Sequence, residues 1–417
     1  MIVTERELTD RAQQLEIDYA TDIAGIRALQ RRNFMRVLSA FHTAGIATSD
    51  LRPMSGYGIG DSLREKTEHV FALLYGAQAA LVRPQIISGT HALAIALFGV
   101  LRPGDLLCCV TGAPYDTMEE IIGIRPSDGS LAEFGVRYTQ CDLTTLPPEL
   151  WEEQLAKCFS TQMPRLVLIQ RSRGYKRIRA LREADIAHMI ACVKRMSPDT
   201  LVLVDNCYGD LLEDREPTMD GADLLASSFM KNVGAGIVPT GGYVVGTSRA
   251  VALAATRYSS PGVGSEIGPN LGFAETFLRG LLFAPIVMEQ VLVGSLLASA
   301  LLQENGFVVD PGPHEPRGDI VLRIECRSRG CFTAFARAVQ ECSALDADAV
   351  PEASPMQGYD REILMAGGTL VQGSTVELSF DGPACEPYVG YLQGGLNAWQ
   401  VVQATARGIA YSMNAHE

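Results

Sequence analysis

A lone lysine, Lys231, lies between the apolar pair Phe229-Met230 and a glycine-rich run that extends to Gly246. It is the only lysine after Lys194. Apolar and small neighbours solvate an ammonium group poorly, so a lysine in such surroundings can provide a nucleophilic amine at neutral pH. An enzyme that binds a carbonyl compound covalently needs such an amine. A surface lysine in a glycine-rich turn fits this stretch equally well.

Several polar residues come at the ends of short apolar runs that are typical of β-strands. Tyr115 comes after the run 105–110, Arg171 and Arg173 come after the run 165–170, and Lys231 comes after the run 224–228. Asp205 is the last residue of the run 201–205. Further strands are predicted at 79–82 and 243–245, and helical stretches alternate with the strands. This order predicts an α/β fold with a mostly parallel sheet covered on both faces. Ligands bind at the carboxyl ends of such strands, where these residues are expected to converge.

A helix start and a glycine-rich loop are two further candidates. Ser88, Gly89 and Thr90 precede a strongly apolar helical segment, and the free N–H groups and dipole of such a helix start suit a phosphate. A serine-capped helix without a ligand is the simpler interpretation. Residues 55–61 have the spacing G-x-G-x-G with no strand before them, which excludes a dinucleotide fingerprint and leaves a flexible loop that presents Tyr57.

Asp205 ends a strand of apolar residues, where a carboxylate is costly unless a cation or a strong donor pairs with it. One such partner is the protonated pyridine nitrogen of pyridoxal 5'-phosphate (PLP). A metal-binding aspartate of a nucleotide-binding strand is a weaker interpretation, because the sequence has no phosphate-loop motif. An aspartate that caps the following turn remains the simplest alternative.

Three segments position these residues. Residues 1–50 are predicted as an N-terminal helical arm, 51–285 as a large domain that holds the sheet, and 286–417 as a smaller α/β domain. In the smaller domain, strands are predicted at 320–326 and 375–380, and the last helix from about 388 to 413. The apolar run 280–302 is long enough to span a membrane, but Glu289 and Gln290 interrupt it, which favours a buried helix between domains.

Composition narrows the class of protein. The chain has 417 residues, of which 47% are hydrophobic and 20% charged, as in a globular protein of two or three domains. A net charge of −13 argues against a nucleic-acid partner. The ten cysteines form no CxxC pair or Cys/His cluster, and the N-terminus has no apolar signal. We therefore expect a reduced, cytoplasmic protein without a metal site or a membrane partner.

The order of the candidate residues along the chain resembles that of the fold-type-I PLP enzymes of cysteine and methionine metabolism: a Ser-Gly-Thr helix start, a tyrosine after a strand, an aspartate at a strand end, and then Ser-x-x-Lys. More closely, the chain resembles the methionine gamma-lyase-like family, often labelled aluminium-resistance proteins. The matching segments, spread over nearly the whole chain, are 82–92, 114–117, 170–175, 204–209, 231–232, 239–243 and 371–374. The resemblance implies the fold-type-I fold with its seven-stranded-type sheet, PLP as cofactor, and a homodimer or homotetramer with shared active sites.

The resemblance also implies a role for each matching residue. Lys231 would bind PLP covalently, Asp205 would pair with the pyridine nitrogen, and Tyr115 would stack on the ring and serve as an acid. The phosphate would be bound by Ser88, Gly89, Thr90 and Ser228, and by Tyr57 of a neighbouring subunit. A substrate carboxylate would be bound by Arg171, Arg173 or Arg323, although a solvated surface charge is an equally good interpretation of each arginine alone.

The expected reaction is elimination from a sulfur-containing amino acid, which gives a 2-oxo acid, ammonia and a thiol. The sequence departs from the better-studied gamma-lyases at two places that bear on the substrate. Two positions after Ser228, where those enzymes often have a residue with a hydroxyl group, this chain has Met230. After the third predicted strand, where those enzymes have a segment of the Asn-Pro type, this chain has Arg171-Ser172-Arg173. A replacement synthase and a PLP-binding protein with little turnover are alternatives. Ser228-x-x-Lys231 also fits a serine acyl-enzyme, although the S-D-N and K-T-G partners of that class do not occur.

Overall fold

The computed structural model describes residues 4–175 and 179–414. By its internal packing the chain divides into two compact units. The first comprises the described parts of Met1–Phe34, Met230–Pro239 and Phe283–Glu417, and the second comprises those of Met35–Phe229 and Thr240–Leu282. The helical arm predicted at 1–50 is thus shared between the two units, while Phe283 lies close to the predicted domain boundary at 285.

The helices and strands are numbered along the chain. The helices are α1 (Glu5–Asp18), α2 (Ala20–Ala44), α3 (Ser62–Leu74), α4 (Gly89–Val100), α5 (Asp116–Ile122), α6 (Trp151–Cys158), α7 (Glu183–Met196), α8 (Ser248–Tyr258), α9 (Phe273–Glu304), α10 (Arg329–Glu341) and α11 (Ala398–Asn414). The strands are β1 (Ala79–Arg83), β2 (Leu106–Cys109), β3 (Arg137–Gln140), β4 (Leu166–Gln170), β5 (Leu201–Asp205), β6 (Leu224–Ser228), β7 (Gly242–Gly246), β8 (Val308–Asp310), β9 (Val321–Glu325), β10 (Ala353–Ser354), β11 (Ile363–Ala366), β12 (Ser379–Pro383) and β13 (Val389–Gln393).

The second unit is built on a seven-stranded sheet in the order β1-β7-β6-β5-β4-β2-β3. Of these seven strands, β7 alone runs in the direction opposite to the other six. Alternate residues of β4 face opposite layers: Leu166 and Leu168 pack with α4 and α8, whereas Val167 and Ile169 pack with α6 and α7. Burial on both faces explains why the strands are continuous apolar runs, and the predicted α/β fold is confirmed.

One strand of this sheet, β3, was not predicted from the sequence. Its four residues, Arg-Tyr-Thr-Gln, are half-buried or exposed, because β3 lies at the edge of the sheet and pairs only with β2. A polar edge strand has no apolar run or alternation to reveal it. Pairing with a buried neighbour decides its conformation.

The first unit contains a six-stranded antiparallel sheet in the order β10-β11-β12-β13-β9-β8. Its core is formed with residues of α1, α9, α10 and α11. Two predicted boundaries were wrong here. The strand expected at 375–380 begins only at Ser379, as β12, and the final helix expected from 388 begins at Ala398, after β13. All five residues of β13 are buried, and so short an apolar run does not distinguish a strand from a helix.

Helix α9 contains the long apolar run. By length and composition alone it could span a membrane, but 67% of its most apolar 18-residue window is buried inside the protein. Most of its apolar surface is therefore covered by protein, in agreement with the prediction of a buried helix. The cellular compartment stays a prediction.

Candidate active site

Two adjacent strands of the second unit bring together two of the predicted site residues. Strands β5 and β6 are parallel neighbours, with Asp205 opposite Ala226. Because side chains alternate along a strand, Asp205, Ala226 and Ser228 point to the same face of the sheet. Both Asp205 and Ser228 lie at the carboxyl edge, as predicted for a ligand site in an α/β sheet.

The start of α4 packs directly against this edge. A Cβ atom on Gly89 would lie 2.8 Å from Sγ of Cys207 and 3.5 Å from Cβ of Ser228, so only glycine allows the approach. Ser88 caps the helix: its hydroxyl accepts the N–H of His91 at 3.0 Å. Its side chain is therefore engaged in capping, which agrees with the simpler interpretation of this residue.

The first turn of α4 retains hydrogen-bond donors. The backbone N–H groups of Gly89 and Thr90 donate to no other group in the described part of the chain, as expected of a helix N-terminus. The hydroxyl of Thr90 lies 3.3 Å from that of Thr117. Two amide donors and a hydroxyl at the positive end of a helix dipole form a suitable environment for an anion.

Asp205 is held in a defined orientation. Its Oδ1 accepts the N–H of Cys207 at 3.1 Å, and its side chain is almost fully buried. Its carbonyl accepts the N–H of Arg171 at 3.1 Å and thereby joins the ends of β5 and β4. The carboxylate thus caps the following turn, and this contact fixes the carboxylate at the edge of the sheet.

Tyr115 is positioned by a residue that the sequence did not single out. The N–H of Tyr115 donates to Oε1 of Gln170 at 2.7 Å, and Nε2 of Gln170 donates to the carbonyl of Ser172 at 2.8 Å. One glutamine side chain at the end of β4 therefore ties the loop after β2 to the loop after β4. No local pattern identifies such a contact, because Tyr115 and Gln170 are 55 positions apart along the chain.

Lys231 belongs to the first unit and follows the last residue of β6 by three positions. It is partly buried and stands directly before the short 3₁₀ turn Asn232–Gly234. The carbonyl of Met230 accepts the N–H of Thr375 at 3.3 Å, which fixes the backbone next to the lysine. Lys231 is therefore on an anchored segment of the chain.

The three candidate arginines, Arg171, Arg173 and Arg323, are all buried, so none is the solvated surface charge of the simpler interpretation. Arg171 donates to Oδ1 of Asn206 at 3.0 Å and to Oε1 of Glu213 at 3.1 Å, in a buried ion pair. These contacts indicate a structural role for Arg171. In the first unit, Arg323 donates to Glu325 at 2.9 Å, and its Nε has no hydrogen-bond partner among the described residues.

Tyr57 lies on an anchored loop rather than a flexible one. Its side chain is 73% exposed, yet its carbonyl accepts the N–H of Gly268 at 3.0 Å. The buried guanidinium of Arg64 donates to the carbonyls of Gly58 and Gly268 at 2.8 and 3.1 Å. Asp61 adds two bonds to Asn270. An exposed aromatic ring on a fixed backbone is typical of a binding surface.

Three cysteines that are scattered in the sequence meet in the second unit. The Sγ atoms of Cys108, Cys141 and Cys158 lie within 4.8 Å of one another. They pack in the apolar layer of α6 and α7, and no fourth cysteine, histidine or carboxylate joins them in the described part of the chain. Since buried cysteines commonly pack as small apolar residues, we interpret the cluster as part of the core.

Known proteins similar to this chain share most of its length. The family model described as methionine gamma-lyase matches residues 8–413. The uncharacterized protein YnbB of Bacillus subtilis is 39% identical over 410 residues, which is 98% of this chain and 97% of that protein. A carbon-sulfur lyase involved in aluminium resistance from Clostridium novyi is 36% identical, with a TM-score of 0.90 over 97% of this chain and 95% of that one.

A more distant structure agrees in fold. Cystathionine gamma synthase from Xanthomonas oryzae is 19% identical, with a TM-score of 0.60 over 86% of this chain and 87% of that one. At this identity the likeness concerns the fold alone. The architecture is that of the fold-type-I PLP enzymes, as the sequence predicted.

Proposed function

Because the chain belongs to the methionine gamma-lyase family, we propose that it is a PLP-dependent carbon–sulfur lyase. The match over residues 8–413 carries this proposal, because it spans the strand ends and the lysine together. The substrate would be a sulfur-containing amino acid and the products a 2-oxo acid, ammonia and a thiol. The serine acyl-enzyme alternative loses its support, since Ser228 is fully buried and the family is one of PLP enzymes.

The start of α4 fits the phosphate of PLP. Gly89 and Thr90 offer amide donors, and the missing side chain of Gly89 allows α4 to pack close to Ser228. The hydroxyl of Ser228 also lies at this edge, where it donates to the carbonyl of Gly241 at 3.4 Å, and it would turn towards the phosphate to act as a further donor. Backbone donors and hydroxyls are the groups that proteins use to bind a phosphate dianion at a helix start.

The ring of PLP would be held by Asp205 and Tyr115. The carboxylate of Asp205 would hold a proton at the pyridine nitrogen, as an anion in a nearly water-free position favours a cation beside it. Tyr115 would supply an aromatic face, and the bond from its backbone N–H to Gln170 would fix its position. When bound, PLP supplies the electron sink that makes an amino-acid α-hydrogen acidic.

The remaining steps belong to the side chains of this chain. Nζ of Lys231 would take the proton from the α-carbon of the substrate, and a β-substituent would then leave with the electron pair of the carbon–sulfur bond on sulfur. For a γ-substituent, Lys231 would also have to take a proton from the β-carbon before the carbon–sulfur bond breaks. Tyr115 is the candidate acid that protonates the departing thiolate. Arg171 is engaged in its own buried ion pair, so Arg173 and Arg323 remain the candidates for the partner of the substrate carboxylate.

The test is 2-oxo acid release from methionine, homocysteine, cystathionine and cysteine, each with and without an added thiol. We expect 2-oxobutanoate from the first two if the γ-substituent leaves, and pyruvate from cysteine if the β-substituent leaves. From cystathionine, γ-elimination gives 2-oxobutanoate and β-elimination gives pyruvate. A thioether formed only with added thiol would instead indicate a replacement synthase. If PLP-loaded protein turns over none of the four, the proposed substrate class is wrong.

We further propose that the minimal active unit is a homodimer in which Tyr57 binds the phosphate in the neighbouring subunit. The exposed ring and the anchored backbone of its loop support this arrangement. A closed two-fold dimer would bury both copies of the loop at once. A tetramer built from two such dimers would be an equally compatible assembly.

Subunit complementation tests the shared site. Tyr57→Ala and Lys231→Ala are each expected to be nearly inactive alone, but a co-expressed pair with two different tags should recover activity. In each mixed dimer one site would have both native residues, so a random mixture should reach roughly a quarter of wild-type activity. If Tyr57 acted in its own subunit, no mixed dimer would contain a complete site, and the mixture would stay inactive.

A further inference from the structure

Behind the carboxyl edge of the second unit lies a buried carboxylate that the proposed reaction does not use. Asp210 is fully buried in the loop after β5. Its Oδ1 accepts the hydroxyl of Tyr75 at 2.6 Å and the side-chain amide of Asn206 at 2.7 Å, and its Oδ2 accepts the hydroxyl of Ser227 at 2.9 Å. Tyr243 of β7 is a fourth donor, so donors from four separate elements converge on this side chain.

Two of these donors are sequence neighbours of proposed cofactor ligands. Asn206 directly follows Asp205, and Ser227 directly precedes Ser228. Side chains alternate along a strand, so Ser227 points to the face opposite Ser228. The contact of Asn206 with Asp210 places its side chain on that same opposite face. Asp210 therefore links the ends of β5 and β6 by hydrogen bonds on the face of the sheet opposite to Asp205 and Ser228.

The loop that carries Asp210 needs this support. Tyr208 and Leu211 have φ angles of 71° and 61°, a left-handed conformation that is unfavourable at a residue other than glycine. The N–H of Leu211 donates to Oε1 of the buried Glu216 at 3.0 Å. Buried hydrogen bonds on both sides of the loop therefore keep it in a conformation that it would not adopt alone.

The surroundings of the two buried carboxyl groups, Asp210 and Glu216, determine which of them carries the negative charge. Burial raises the pKa of Asp210, whereas the hydrogen bonds that it accepts from Tyr75, Tyr243, Ser227 and Asn206 stabilise the ionised form. Burial, and next the negative charge of Asp210, raise the pKa of Glu216 to about 7, and Arg171 and Arg36 oppose this shift. We assign the negative charge to Asp210, which accepts these hydrogen bonds, and the proton near neutral pH to Glu216.

We propose that Asp210 is a positioning residue that sets the spacing between the carboxylate of Asp205 and the hydroxyl of Ser228. It acts through Asn206 and Ser227 and touches neither cofactor nor substrate. The inference rests on the proposed function, in which Asp205 and Ser228 hold the two ends of PLP. Loss of the Asp210 charge should therefore change how PLP is held, beyond any loss of stability.

The test compares Asp210→Asn with Asp223→Asn in the full-length PLP-loaded protein. Asp223 is the matched control, because its Oδ2 accepts the N–H of Val202 at 2.8 Å and Nζ of Lys194 at 2.7 Å at the opposite end of β5 and β6. Both changes are isosteric and remove one hydrogen-bonded carboxylate. The readouts are the PLP dissociation constant, the pH midpoint of the visible absorption change, and the melting temperature.

We expect Asp210→Asn to weaken PLP binding about tenfold or more and to shift the spectral midpoint, because the amide N–H group of the new side chain would face groups that are themselves donors. Asp223→Asn should lower only the melting temperature. If Asp210→Asn does not fold, Ser227→Ala keeps the carboxylate, removes the link to β6 and should shift the same two readouts in the same direction. Equal PLP affinity and midpoint in all variants would overturn the inference, whereas a wild type that cannot bind PLP would overturn the proposed function itself.

Discussion

Replacement of Lys231 by alanine is expected to abolish covalent attachment of PLP and to lower kcat/KM for elimination by at least ~10³-fold. Two losses combine in this variant, because the same amine would bind the cofactor and take the α-proton. No other lysine follows Lys194 in the sequence, so no neighbour along the chain can substitute. The purified wild type should be yellow, and borohydride reduction with peptide mapping should place the label on Lys231.

The matched control is Lys157→Ala. Lys157 is exposed and pairs with Glu153 one helical turn away at 2.7 Å, so its loss should leave colour, labelling and activity unchanged. A borohydride label on a lysine other than Lys231 would contradict the assignment of Lys231 as the residue that binds PLP. The same conclusion would follow if borohydride treatment still fixed PLP to the Lys231→Ala variant. A wild type that stays colourless after incubation with PLP would contradict the cofactor itself.

Replacement of Asp205 by asparagine is expected to slow abstraction of the α-proton by ~10²–10³-fold, the range for one lost electrostatic contact at a reaction centre. Asparagine retains an oxygen that can accept the N–H of Cys207, so the turn after β5 should keep its shape. What is lost is the negative charge that would hold a proton at the pyridine nitrogen. Exchange of the substrate α-hydrogen in deuterated water measures this step without requiring elimination.

Asp142→Asn is the control for the change at Asp205. Asp142 also follows a strand end, and its Oδ1 accepts the N–H of Thr144 at 2.9 Å, with the same two-residue offset as Asp205 and Cys207. Both variants therefore keep a capped turn and lose one charge. Equal exchange rates in the wild type and in Asp205→Asn would show that the carboxylate does not act on the ring nitrogen, and the role would then pass to another donor.

The sequence by itself determined the α/β class, the strand ends and the family. Strands β4 and β5 are buried on both faces, and this burial requires the continuous apolar residues that make them visible in a sequence. The polar residue after each run marks where the chain leaves the core. Because parallel strands end at one edge, the order of these runs predicts that residues at the ends of neighbouring strands converge, and β5 and β6 are such neighbours.

Tertiary structure decided the features that depend on distant partners. Strand β3 is an edge strand of polar residues, and only its pairing with β2 makes it a strand. β13 is a strand because β9 and β12 lie on either side of it, although its apolar residues are compatible with a helix. In both cases the local propensity is weak and the hydrogen bonds to neighbouring strands outweigh it.

The same reason separates the predicted site residues from those that were missed. Arg171 could be named from the sequence, but its ion pair with Glu213, 42 positions later, shows that it is engaged in the protein interior. Asp210 gave no signal, because Tyr75 is 135 positions away along the chain. A sequence shows which groups could do chemistry, whereas the partners of a buried charge come from other elements, and only the folded chain brings them within hydrogen-bond distance.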